Sequence, residues 1–179
     1  MSVLECHGIG AKKFLQGQLT CDMNTLRLHT PQFTAACNIK GRVVFTLDIV
    51  MKHDDAFDLY LPKSMNMIAY SHLNTYAKFS KCVLIQRELN AHESSSDEKI
   101  RRIYQGIPTI YPETSDFFLP QRLNLHHIPH AISFKKGCYL GRKLKGACYG
   151  SLSYKLCYFL IVFYFFEVRI DYVFIFCGC

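Results

Sequence analysis

Alternating apolar and polar positions in the first half of the chain predict a small antiparallel sheet. The runs "FTAACNIKGRVVFTLDIVM" and "AFDLYLP" are rich in the β-branched and aromatic residues that favour strands. Phe45, Leu47 and Ile49 stand at every second position, so they share one face of a strand. The first of these stretches contains two strand-like runs, separated by Asn38-Ile39-Lys40-Gly41. Gly41 can take a positive φ, which favours a turn there. These runs therefore predict a three-stranded meander.

Helical spacing of apolar residues flanks the meander on both sides. Residues 11–20, "AKKFLQGQLT", place Ala11, Phe14, Leu15 and Leu19 on one face of a short helix. Residues 63–77, "KSMNMIAYSHLNTYA", predict an amphipathic helix, and "KCVLIQ" after it predicts a buried strand. Residues 1–89 thus predict one α+β unit, with an antiparallel sheet on one side and packed helices on the other.

The second half of the chain is punctuated rather than periodic. Residues 90–99, "NAHESSSDEK", carry no apolar anchor and predict a linker. Four prolines between residues 107 and 134 exclude long regular elements there. Residues 100–150 therefore predict a loop-rich segment, packed by Ile107, Ile110, Tyr111, Phe117, Phe118 and Leu119.

Charge draws attention to one part of this segment. The chain carries a formal charge of +7, and residues 135–146 contain five cations and no acid. Such a run favours an anionic partner, although a solvated basic face is the more common explanation of a charge run on its own. Cys138 lies inside the run, and cations beside a thiol favour its reactive thiolate form. The alternative is a buried structural cysteine in a turn.

The other cysteines and the histidines indicate no metal site. The nine cysteines are irregularly spaced, and no Cys-x-x-Cys pair occurs among them. His126, His127 and His130 are close in sequence, but a surface loop explains them without a metal. Residues 1–10 contain no apolar run typical of a signal peptide. We therefore expect a cytoplasmic chain whose thiols are mostly reduced.

Five stretches in a fixed order resemble a known family. They are "FLQGQLTCD" (14–22), "AACNIKGRV" (35–43), "LNTYAKFSK" (73–81), "GIPTIYPETSDFFLPQRLNL" (106–125) and "ISFKKGCYLGR" (132–142). Over roughly residues 5–142 the chain resembles YgfZ-type proteins, folate-binding relatives of the glycine-cleavage T-protein, an aminomethyltransferase. The Lys-Gly-Cys-Tyr-x-Gly motif is the most specific of these similarities.

The resemblance implies a fold, a cofactor and partners. The implied fold is a partial T-protein-like folate-binding fold of the α+β class. The implied cofactor is tetrahydrofolate or a derivative. The implied partners are iron–sulfur enzymes, among them one that methylthiolates tRNA. Direct tRNA binding is a weaker option, because Tyr139 is the one aromatic residue within the basic run.

The motif also implies site residues. Carried over position by position, the functional thiol falls on Cys138 and a catalytic lysine on Lys136. The implied cofactor-binding positions are Lys136, Gly137, Tyr139, Gly141 and Arg142. A glycine on each side of the thiol lets the backbone approach a flat ligand, and the cations could hold the glutamate tail of a folate.

The chain departs from the family pattern in three places. The motif changes at Arg142, where the family continues with an amide and an acid. Only about twenty residues, 82–102, occupy an interval that in the family holds roughly a further half-domain. We expect the family's C-terminal β-barrel to be absent, because an aromatic tail, residues 151–179, follows the motif instead.

We interpret residues 151–179 as an aberrant hydrophobic tail produced by a frame shift or read-through. The longest uncharged run, Leu156–Phe166, has eleven residues, and a bilayer-spanning helix needs roughly 20. A membrane anchor is therefore not expected, and a strand pair is the other alternative.

Two further functions remain open from the sequence. One is an inactive, truncated remnant of the family. The other is an aminomethyltransferase of the glycine-cleavage type, which requires a carboxylate near the folate nitrogen. The acids Asp48, Glu113 and Asp116 lie in no T-protein motif, so an enzymatic activity is not predicted.

Overall fold

The computed structural model describes residues 1–88 and 96–141, together with two short strands at 164–166 and 169–171. The short strands, β6 (Tyr164–Phe166) and β7 (Arg169–Asp171), pair with each other in antiparallel orientation. The predicted site position Arg142 lies outside the described residues. Apart from β6 and β7, so does the stretch on which the interpretation of the tail and the expectation about the barrel depend.

An antiparallel sheet of five strands forms the body of the structure, and it confirms the α+β class. The strands are β1 (Ser2–His7), β2 (Gln32–Cys37), β3 (Val43–His53), β4 (Ala56–Leu61) and β5 (Val83–Glu88). Their order across the sheet is β2-β3-β4-β1-β5. Strands β2 to β4 are the predicted meander, and Gly41 between β2 and β3 has a φ of 77°. Strand β1 was not predicted.

Two helices, α1 (Ala11–Gln18) and α2 (Asn66–Ala77), pack on one face of this sheet. They confirm the two predicted helices, and a 3₁₀ turn at Lys63–Met65 leads into α2. Phe14 and Leu15 of α1 join Leu73 of α2 in a buried apolar cluster with Phe45 and Leu59 of the sheet. A third helix, α3 (Ser96–Tyr104), begins inside the stretch predicted as a linker.

The prediction that "KCVLIQ" is a buried strand is wrong. Strand β5 lies at the edge of the sheet and pairs with β1. Val83 is 55% exposed and Ile85 is 44% exposed, whereas Leu84 between them packs against the core. A continuous apolar run predicts burial on both faces, but in the described structure this edge strand is covered on one face.

The irregular segment after α3 wraps around the ends of β2 and β3. Backbone hydrogen bonds join Val43 to Phe118 (2.8 Å) and Asp116 to Val43 (2.9 Å). Between residues 107 and 134 the one helical element described is the 3₁₀ turn Pro112–Thr114, which agrees with the proline pattern. This wrapping brings residues 131–141 back onto α1 and the β2–β3 turn.

Candidate functional site

The site is built on the C-terminal end of helix α1. The last carbonyl groups of a helix have no partner within the helix. Here the chain beyond α1 turns towards β2, so the N–H of Thr20 donates to the carbonyl of Ala35 and the N–H of Cys21 to Oγ1 of Thr34. Because those N–H groups are used elsewhere, the carbonyls of Gln16 and Gly17 must find donors from another part of the chain.

Lys136 supplies one such donor group from 120 residues away. Its Nζ donates to the carbonyl oxygens of Gln16 (2.8 Å), Leu19 (2.6 Å) and Cys21 (2.6 Å), and the residue is only 5% exposed. An ammonium group has three protons, so these three carbonyls match its donors. The Tyr139 ring lies 4.5 Å from Nζ and adds a cation–π contact. A cation is also the charge that a helix C-terminus favours.

Backbone contacts hold the rest of the segment in place. We call residues 133–141 the thiol loop. The N–H of Leu140 donates to the carbonyl of Gly17, and the N–H of Ser133 donates to the carbonyl of Thr20, both at 2.9 Å. The hydroxyl of Thr20 donates to the carbonyl of Ala131 at 2.6 Å. The thiol loop is therefore attached to α1 and the residues that follow it at several points.

Gly141 anchors the far end of the thiol loop on the β2–β3 turn. Its φ of 81° lies in the left-handed region, and a Cβ there would lie 2.6 Å from the Asn38 carbonyl oxygen and 2.9 Å from Cα of Gly41. The Asn38 side chain in turn donates to Asp116 at 2.8 Å and accepts from the N–H groups of Lys40 and Arg42. Four of the five stretches that carry the family resemblance thus meet at this place.

Gly137 and Cys138 form the exposed part of the thiol loop. Cys138 is exposed, so the alternative of a buried structural cysteine is wrong. A Cβ on Gly137 would meet no atom within 4 Å, and its φ is not left-handed. The fold therefore does not require glycine at 137. By contrast, Cys21 and Cys37 are buried, and Cβ of Cys37 lies 3.0 Å from the position of a Cβ on Gly141.

The structure divides the site residues expected from the motif into two groups. Lys136 and Tyr139 are buried against each other, whereas Gly137 and Cys138 lie at the surface. Gly141 is committed to the β2–β3 turn. The catalytic and cofactor-binding roles of these residues stay predictions.

Sequence reasoning missed the polar residues that shape the end of α1. The side chain of Gln16 donates to Asp22 at 3.0 Å and accepts from the N–H of Met23 at 2.7 Å. The pKa of Asp22 is lowered, first by the backbone N–H of Asn24 and also by Gln16 and Lys136. Burial raises the pKa of the Cys21 thiol, against the opposing effects of the Thr34 hydrogen bond and Lys136. These residues belong to the stretch "FLQGQLTCD", which carries part of the family resemblance. Their side-chain types alone did not indicate a role in the site.

The acids considered for a transferase role have separate surroundings. Asp48 on β3 forms an ion pair with Arg102 of α3, and the Arg102 guanidinium lies 5.6 Å from the Phe33 ring centre. Asp116 accepts the hydrogen bond from Asn38, and Glu113 is exposed in the 3₁₀ turn. These contacts give Asp48 and Asp116 structural partners.

The described residues contain neither a metal-binding cluster nor a membrane-spanning helix. Residues 1–88 and 96–141 contain no cluster of three histidine, cysteine or acidic side chains suited to a metal ion. None of the helices in the described part of the chain combines the length and hydropathy required to cross a bilayer.

The fold and the site define an α+β protein in which a lysine-anchored loop presents an exposed thiol. The comparisons confirm that the chain resembles YgfZ-type proteins. It is 27% identical over 210 residues to the tRNA-modifying protein YgfZ of Buchnera aphidicola from Acyrthosiphon pisum, covering 79% of this chain and 65% of the relative. The corresponding YgfZ of Aliivibrio fischeri strain ES114 is 25% identical over 194 residues, covering 76% and 60%. No family model matches the chain.

Two other similarities complete the comparison. An uncharacterized protein of Haemophilus influenzae is 31% identical over 177 residues, covering 79% of this chain and 63% of that protein. The glycine cleavage system aminomethyltransferase T of Bartonella henselae superposes with a TM-score of 0.46 at 18% identity, covering 48% of this chain and 24% of that one.

The chain spans less than two thirds of the length of these relatives. The Buchnera alignment of 210 residues is longer than the 179-residue chain itself, so that relative has residues inside the matched region that this chain lacks. The chain is therefore shorter than that relative inside the matched region, and the position of the shortening at residues 82–102 stays a prediction.

Proposed function

We propose that the chain binds tetrahydrofolate or a derivative at the thiol loop and supports iron–sulfur enzymes that modify tRNA, with Cys138 as the functional thiol. The observation that carries the proposal is the exposed Gly137–Cys138 pair, held on a loop that joins the resembling stretches. The name "tRNA-modifying protein" of the relatives supports the process.

The surface around Cys138 suits a flat, anionic ligand. The open space above Gly137 would allow a planar ring to approach the backbone, which a larger side chain would prevent. Lys135 of the thiol loop is exposed, as are Lys40 and Arg42 of the turn on which Gly141 packs. These cations would favour the carboxylates of a folate glutamate tail. Arg142 is a further candidate, from outside the described residues.

The proposal assigns a supporting role rather than a transfer reaction. Asp48 is engaged with Arg102, so it is not the unpaired carboxylate that an aminomethyltransferase would place near the folate nitrogen. We further propose a cytoplasmic location, because the irregular spacing of the nine cysteines indicates no disulfide framework.

Complementation tests the proposal. We expect the chain to restore methylthiolated tRNA, measured by mass spectrometry of digested tRNA, in a bacterial strain that lacks its YgfZ-type protein. Cys138→Ala should abolish the rescue, whereas Cys82→Ala, a matched change at a half-buried cysteine, should retain it. Full rescue by Cys138→Ala would contradict the role of the thiol, and no rescue by the unaltered chain would favour an inactive remnant.

A further inference from the structure

The strongest feature not used by the proposed function is the buried ammonium group of Lys136. A charged group inside a protein is costly unless it is paired or fully hydrogen-bonded. Here three backbone carbonyl oxygens at 2.6–2.8 Å and one aromatic face surround Nζ. This arrangement is a small cage of carbonyl oxygens, contributed by the end of α1 and the residues after it, and its three acceptors match the three N–H donors of one ammonium group.

We propose that Lys136 is a positioning residue: its ammonium group fills this carbonyl cage and thereby fastens the thiol loop, with Cys138 on it, to the C-terminal end of α1. In this scheme the ammonium group holds the loop, since it donates hydrogen bonds to three backbone carbonyls of residues 16–21. The consequence for Cys138 in the cell rests on the proposed function, whereas the fastening itself does not.

The neighbouring contacts explain why one side chain has this effect. Lys136 lies between Ser133, whose N–H donates to Thr20, and Leu140, whose N–H donates to Gly17. Its carbonyl partners stand in the same stretch, residues 16–21. Without the ammonium group, these carbonyls would lose their donor inside the protein, which favours opening of the loop to water.

Two buried thiols report the opening of the loop. Cys21 contributes one carbonyl to the cage and is fully buried, and Cys37 lies under Gly141. Cys6 on β1 is equally buried but belongs to the sheet away from the loop attachments, so it reports opening of the body. Labelling of a buried thiol follows the population of the open state.

The experiment measures iodoacetamide labelling of each cysteine in the folded full chain, resolved by peptide mass spectrometry. In Lys136→Met we expect Cys21 and Cys37 to react at least about tenfold faster, equivalent to about 1.4 kcal/mol, with Cys6 unchanged. Lys135→Ala removes an exposed neighbouring lysine and should change none of the three rates.

Chemical rescue separates a cation site from a general packing defect. Lys136→Ala removes the atoms that n-propylammonium supplies, so millimolar n-propylammonium should restore the protection of Cys21 and Cys37, and sodium at the same ionic strength should not. Unchanged labelling in both Lys136 variants would overturn the proposal. So would equal acceleration at Cys6, or restoration by sodium. Because no folate is present, this result is independent of whether the chain binds folate.

Discussion

Replacing Gly141 by alanine tests how the thiol loop is seated on the β2–β3 turn. The φ of 81° places this residue in the left-handed region, which costs an L-residue about 1–2 kcal/mol. The added Cβ would also lie 2.6 Å from the Asn38 carbonyl oxygen, 2.9 Å from Cα of Gly41 and 3.0 Å from Cβ of Cys37. Two of these are backbone atoms, so relief requires a backbone shift, and overpacking of this kind costs about 1–3 kcal/mol.

The two costs together predict a loss of about 2–5 kcal/mol for Gly141→Ala. Urea unfolding followed by circular dichroism measures this loss, and faster iodoacetamide labelling of Cys37 would show that the loop detaches before the body unfolds. Gly137→Ala is the matched control in the same motif. Its Cβ meets nothing within 4 Å, so the expected change is within about 0.5 kcal/mol. Equal stability of both variants, with Cys37 still protected from labelling, would refute the close packing of Gly141 on the β2–β3 turn.

Two further predictions concern the body of the fold. Burial lowers the pKa of His72 below its ordinary 6.5, so the folded chain disfavours the charged imidazole. At pH values below 6.5 the unfolded chain therefore binds more protons than the folded one, and stability should fall as the pH falls through 6.5. The stability of His72→Gln, measured by urea titration, should fall less steeply over the same range, and parallel curves for the two proteins would contradict this. For the sheet edge, Ile85→Thr should change stability by less than about 0.5 kcal/mol, whereas Leu59→Ala in the core should cost about 2–5 kcal/mol. A large cost at Ile85 would mean that this face of β5 is covered.

Local patterns predicted the elements whose cause is local. The β2–β3–β4 meander follows from alternation and from the Gly41 turn. The length of α1 does not, because its end is set by distant partners. Helix α1 ends at Gln18, and the next residue, Leu19, forms a β-bridge with Ala36. No pattern within "AKKFLQGQLT" predicts this contact with a distant strand.

The candidate site shows the same division between local and distant causes. The motif predicted a functional thiol at Cys138, and the structure places this residue at the surface. The positive φ of Gly141 is a finding of the structure, because the motif predicted only that its backbone could approach a ligand. The position of Lys136 was not accessible. From the sequence alone, all five cations of the run are expected at the surface. Lys136 is buried instead, because its carbonyl partners lie 115–120 residues earlier in the chain. The cationic surroundings of the thiol therefore include one ammonium group fewer at the surface than the sequence predicts.

Calorimetric titration of the purified chain with tetrahydrofolate, under anaerobic conditions, tests the central proposal most directly. We expect saturable heat that fits one site, and a weaker response for Gly137→Leu, which fills the open space beside Cys138 without a steric demand from the fold. The absence of saturable heat from the unaltered, folded chain would contradict folate binding at the thiol loop.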